Sequence, residues 1–190
     1  MRNTEQTDKT KKFIFFSLLV IFGRLYDVTT TYLYTPDLKN ETNILAVFFG
    51  AGWTSVIIIQ SLLAGLTVSL LYFYFFKFKP DYPTEKGLSL KQFASYLYFN
   101  DTVSFSKMFY KTPKNKKVLL ASTGYIVSMT LLFVSFIVGT STTLLLLSEK
   151  YKQLYKNGIQ TLLFVIIGVL AVWFTINFFK IEYKKYQKII

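Results

Sequence analysis

Long apolar runs alternate with short polar ones along this chain, and the alternation predicts an all-α protein with four membrane-crossing helices. The runs cover about 13–34, 53–76, 118–148 and 159–180. About 20 residues at 1.5 Å rise cross a hydrocarbon core of roughly 30 Å, so each run is long enough to span it. The stretch 44–76 is apolar almost throughout, and as one helix it would measure roughly 50 Å, too long for a single upright crossing. Gly50-Ala51-Gly52 is the natural break. We therefore expect a short apolar segment at 44–50, interfacial or re-entrant, and a second span beginning near Trp53.

The polar segments complete a four-helix transmembrane bundle. Residues 1–12 read as a flexible tail and 181–190 as a basic tail. A basic start followed by an apolar run mimics a signal peptide, but no small-x-small site follows, so an uncleaved anchor is expected. Pro36 marks a helix end in the turn 35–43, and 149–158 is a short loop. The longest polar stretch is 77–117. Within it Leu90, Phe93, Ala94 and Leu97 recur at i, i+3, i+4 and i+7, one face of an amphipathic helix over 88–99. Its apolar face predicts a helix lying on the membrane surface.

Charge supplies the sidedness. The formal net charge is +12, which in a soluble protein would suggest nucleic acid. Here the lysines and arginines are distributed by loop. The first tail, the 77–117 loop and the last tail, with Lys180 at its border counted in, carry 17 between them, against 4 in the other two loops. With four spans those three segments share one side, and the excess of basic residues places both termini and the long loop in the cytoplasm of a cell membrane, inner or plasma. Lys111, Lys114, Lys116 and Lys117 cluster beside the third span. Such a cluster attracts anionic headgroups at about 1 kcal/mol per charge. Lipid and topology account for it without nucleic acid, and an acidic cytoplasmic protein partner is the alternative.

The chain contains no Cys and no His. That excludes thiol catalysis, disulfides, ordinary zinc sites, His- or Cys-held haem and Ser-His triads. No cofactor-binding fingerprint is present, and the expectation leans away from an enzyme. The informative residues are Arg24 and Asp27, about 16 Å and 21 Å into the first span. Each charge at that depth costs about 2.5–3.5 kcal/mol, and at i, i+3 spacing the two can pair. Asp37, Glu41 and Asn43 in the following turn add oxygens that, with Asp27, would suit a cation such as Na⁺, Mg²⁺ or Ca²⁺. A structural pair with helix-capping Glu41 and Asn43 is the other reading.

Small residues recur at helical spacing: Ser61, Gly65 and Ser69 in span two, then Gly124 with Ser128, and Ser135 with Gly139, in span three. Stripes of this kind let helices approach closely in lipid, and they make a homo-oligomer through spans two and three an expectation. A polar pore lining is the competing reading.

The pattern Asp27-x-x-Thr30-Thr31, then Pro36-Asp37-x-x-x-Glu41-x-Asn43, resembles a signature of small bacterial and archaeal integral membrane proteins that carry D-x-x-T-T followed by E-x-N-P. The resemblance covers about residues 24–53, with Ile44 where that family usually has Pro. It implies a membrane protein and brings no activity with it. Three function classes follow from the residues: an interaction, sensor or anchoring subunit; a small ion channel or carrier using Arg24 and Asp27; and a membrane enzyme using Asp27, Asp37 and Glu41.

Overall fold

The computed structural model describes residues 2–38, 52–103 and 105–189, and these are all-helical, without a strand. The long helices are α1 (Arg2–Tyr34), α2 (Trp53–Tyr72), α4 (Lys116–Leu147) and α6 (Gln160–Gln187). Two short helices, α3 (Leu90–Phe99) and α5 (Glu149–Leu154), join them. Four helical stretches, Gln6–Tyr34, Trp53–Lys77, Lys116–Leu147 and Glu149–Gln187, are long and apolar enough to cross a membrane. Their outward faces carry large apolar side chains that water would not accommodate: Leu62 is 68% exposed and Leu18 62%. The segment expected at 44–50 lies outside the described residues.

α4 is the central helix, packing along α1, α2 and α6. Its small residues make this geometrically feasible. A Cβ at Gly124 would stand 2.6 Å from the Leu70 carbonyl oxygen of α2, and Ser128 Oγ donates to Thr67 O at 3.3 Å. Against α1, a Cβ at Gly139 would stand 2.6 Å from the Tyr26 ring. The α4 stripe is thus consumed inside the chain. Ser61, Gly65 and Ser69 of α2 face outward instead, and Ser69 Oγ donates to its own helix at Gly65 O.

Three expectations are corrected. The N-terminal residues read as a flexible tail continue α1, because nothing in their sequence breaks a helix already nucleated by the span. The C-terminal residues read as a tail are the last two turns of α6, with Glu182 and Tyr186 fully buried. The amphipathic helix forms as α3, but protein rather than lipid covers its apolar face. Phe93, Ala94 and Leu97 are buried, and Phe93 packs against Tyr183 and Tyr186 of α6 at ring distances of 5.4 and 5.1 Å. A capping box fixes where α3 starts: Gln92 N donates to Ser89 Oγ and Ser89 N donates to Gln92 Oε1. Asn100, in the left-handed region at φ 55°, ends it.

The 77–117 segment is therefore a folded cap on one end of the bundle, hereafter the loop end. Tyr183 OH donates to Leu88 O and Tyr186 OH to Glu85 O, tying it to α6. Lys114 N and Asn115 N both donate to Tyr98 O, and Asn115 then caps α4 by accepting from Val118 N. The same end holds the start of the first span, since Phe13 meets Phe76 edge-on at 5.4 Å. At the opposite end α5 runs into α6 through Gly158, whose φ of +122° a residue with a side chain rarely adopts.

Removing the anchor of the cap should be costly. We expect Phe93→Ala to destabilise the protein by about 3–5 kcal/mol, as for other buried aromatic truncations. The change is read as a lowered unfolding midpoint in detergent, with new proteolytic cleavage confined to 77–117.

Candidate functional site: a polar layer beneath a cavity

Arg24 and Asp27 sit one turn apart on α1, and Arg24 Nη1 donates to Asp27 Oδ2 at 2.9 Å. The guanidinium also reaches two other helices. Nη1 donates to Ser135 Oγ of α4 at 3.1 Å, and Nη2 donates to Gln60 Oε1 of α2. One side chain thus ties α1, α2 and α4 into a polar layer. Close backbone approach brings the partners within reach: a Cβ at Gly23 would lie 3.2 Å from Ser135 Cβ. The side chains of Arg24 and Asp27 are only 11% and 14% exposed, so neither charge has bulk water as an alternative partner.

Between this layer and the Trp53 end of the bundle, the four long helices line a cavity of about 310 Å³. Asp27 and Gln60 form its base. Thr31, Ser141 and Thr142 place hydroxyls on the wall, while Trp53, Tyr155 and Gln160 stand at its helix-end side. Trp53 is held there by donating Nε1–H to Pro36 O at 2.7 Å and by edge contact with Tyr32. On the other side of the ion pair, a groove of about 400 Å³ between α1 and α2 is lined by Arg24 and Gln60 together with Ser61 and Gly65. Asp27 thus borders the cavity and Arg24 the groove.

Below the layer the bundle is filled with aromatic rings. Tyr74 and Tyr125 are 5.2 Å apart, and Phe178 stands 6.0 Å from each. Asn177 Nδ2 donates to Tyr125 OH at 2.6 Å, bridging α6 and α4.

Among the residues proposed for a cation, Asp27 is held by Arg24, and Asp37 lies beyond the end of α1. Glu41 and Asn43 lie outside the described residues. Among the described residues no three His, Cys, Asp or Glu converge. Lys111, Lys114, Lys116 and Lys117 are exposed at the loop end, around the start of α4.

One charged site escaped the sequence reading. Glu182 is fully buried at the loop end. It accepts from Tyr82 OH at 2.8 Å, from Tyr74 OH at 3.4 Å and from Lys185 Nζ at 2.6 Å. The i, i+3 spacing of Glu182 and Lys185 was a visible signal, but nothing local marks Tyr82, one hundred residues away, as a partner. Burial first, then the neighbouring Glu182 carboxylate, pushes the Tyr82 phenol well above the ordinary tyrosine range. Burial raises Tyr98 too, against a smaller opposing hydrogen bond with Ser122.

No protein-family model, curated protein or solved structure matches this chain. What the coordinates define is a class: a multi-pass helical membrane protein with an ion pair inside the bundle and a cavity above it.

Two outcomes follow. Losing one partner of the buried pair strands the other charge and should cost about 3–5 kcal/mol for Arg24→Met or Asp27→Leu alone, whereas the double variant costs less than either single one. Unfolding of the four proteins in mixed micelles by SDS measures this; simple additivity would contradict burial of the pair. For Tyr82 and Tyr98, a raised folded pKa means their contribution to stability is complete below the unfolded value near 10 and is lost as pH climbs above it. Spectrophotometric titration should show late-ionising phenols whose number falls by one in Tyr82→Phe.

Proposed function

We propose that this chain is a membrane-embedded sensor or interaction subunit. It lies in a cell membrane, inner or plasma, with both termini and the 77–117 cap in the cytoplasm, and it works without a cofactor. The carrying observation is the division of labour along α6. At one end α6 lines the cavity with Leu163, Phe164 and Ile167; at the other its buried Glu182 and Tyr186 and half-buried Tyr183 hold the cap. A single 28-residue helix, about 42 Å long by its rise, thus touches both the receiving and the presenting surface.

The lysines support the cytoplasmic side of this reading. Lys116 and Lys117 occupy the first turn of α4, which has no acidic residue, so they oppose the helix dipole by roughly 0.3–1 kcal/mol each. Anionic headgroups or an acidic protein at that surface would offset the cost. The outward α2 stripe of Ser61, Gly65 and Ser69 is the surface available for pairing two copies. A small carrier is the second reading, favoured by one observation: Asp27 borders the cavity. The filled aromatic half below the layer supports the sensor over a continuous pathway.

The chain lacks cysteine, so single-cysteine labelling reports sidedness cleanly. Thr112→Cys should be shielded from an impermeant maleimide in intact cells, and Asn157→Cys labelled. In liposomes, Na⁺, K⁺ and Cl⁻ flux should stay at background, while photo-crosslinkers at positions 111 and 114 in cells give a discrete protein adduct that Lys116→Glu/Lys117→Glu removes. Flux abolished by Asp27→Ala would instead establish the carrier.

A further inference from the structure

From the chemistry of its lining, we infer that the cavity above the polar layer binds a small organic ammonium ion with an apolar body. The inference rests on reading that cavity as the receiving site. Its size, about 310 Å³, lies at the lower end of the range of small-molecule sites. That admits a molecule of several heavy atoms and is generous for a bare metal ion.

The charge at its base selects the sign. Asp27 borders the cavity, whereas Arg24, its partner, borders the groove on the far side. The ion pair thus turns the acidic end of its dipole toward the cavity: a cation meets Asp27 before Arg24, and an anion meets the unfavourable end, each effect attenuated by Arg24 at 2.9 Å. Thr31 and Thr142, which line the cavity with Asp27, carry hydroxyls able to accept from N–H groups.

The walls select the rest of the molecule. Val56, Val138 and Ile167 line the cavity between base and opening, and they gain only from apolar contact. A hydrated alkali ion would leave them facing water and would find few of the six or more oxygens that hard cations gather. The rings of Trp53, Tyr155 and Phe164 line the same cavity. Aromatic faces attract ammonium groups most when water is excluded, and combinations of rings with a carboxylate are how such cations are held. An alkyl or aryl ammonium satisfies base, wall and rings together.

Trp53 lines the cavity, whereas Trp173 is exposed on the outer face of α6. Replacing Trp173 by Phe leaves Trp53 as the sole tryptophan reporter. We therefore test the full chain carrying Trp173→Phe in lipid nanodiscs, titrated with benzylammonium, with neutral benzyl alcohol and with benzoate, and separately with NaCl. Benzylammonium should change Trp53 emission saturably, at least tenfold more tightly than benzyl alcohol, and benzoate and NaCl should leave it unchanged. Asp27→Asn should weaken ammonium binding at least tenfold. If that variant does not fold, Thr142→Leu, which fills the wall without touching the ion pair, should do the same. Equal responses to benzylammonium and benzyl alcohol would overturn the inference, as would undiminished binding in a folded Asp27→Asn or in Thr142→Leu. Absence of any ammonium response would overturn it too. The crosslink at positions 111 and 114, scored separately, shows whether the sensor reading survives that failure.

Discussion

A guanidinium and a carboxylate set within the hydrocarbon depth must be satisfied by protein, because lipid tails offer them nothing. Arg24 meets this demand with its two terminal nitrogens, through Asp27 on its own helix, Ser135 on α4 and Gln60 on α2, while its buried Nε finds no hydrogen-bond partner among the described residues. The three partners come from three helices, so their relative rotation and height are fixed together. A side chain at Gly139 would collide with the Tyr26 ring at 2.6 Å, and one at Gly23 would crowd Ser135 and Phe136 at 3.2–3.3 Å, so both glycines keep α1 close to α4. The small residues of α4 and the charged residues of α1 are therefore two parts of one constraint: the charge requires closeness, and the glycines permit it.

That layer also divides the bundle into two unlike halves. Toward the loop end, rings interlock among Tyr74, Tyr125, Phe174 and Phe178, and the cap closes over them. Toward the Trp53 end the walls carry aliphatic groups and hydroxyls around open space. In a medium with no hydrophobic drive between helices, tight packing and hydrogen bonds hold the assembly. The sealed half has both in abundance. The other half leans on the polar layer below it and on Trp53, bonded to the backbone of Pro36 above it. Adaptation to a ligand is best tolerated in a half of this kind.

How much of this could be read from residues alone depends on the length scale of the interaction involved. The spans were legible because lipid imposes a run of apolar residues that no other environment requires; α4 begins two residues before and ends one before the expected 118–148. Arg24 with Asp27 was legible for the same reason, as an expensive local exception. Gln60 and Ser135 were visible only as polar residues in other spans, since their partnership spans 36 and 111 residues of sequence. The tails misled because polar, charged sequence reads as solvent-exposed. Glu182 is buried through Tyr82 and Tyr74, neither of which its neighbours in sequence announce. The amphipathic face of α3 was correctly periodic, but periodicity states that a face is covered and never by what.

The last point bears on how the cap is held. An apolar face resting on lipid would leave α3 free to slide; the same face on α6 fixes its position, and four hydrogen bonds to backbone carbonyls add direction. Tyr183 and Tyr186 address carbonyls at Leu88 and Glu85, while Tyr98 O receives the chain returning to α4. Glu182 accepts from Tyr82, Tyr74 and Lys185 at once, which a neutral residue of the same size could not do with equal strength. Burying a carboxylate is costly unless it is so surrounded. Its position next to Tyr183 and one turn before Tyr186 on the same helix means that any displacement of α6 along its axis must be followed by the cap or must break these bonds. The mechanical link between the cavity wall and the basic surface is therefore a single helix and its buried acid.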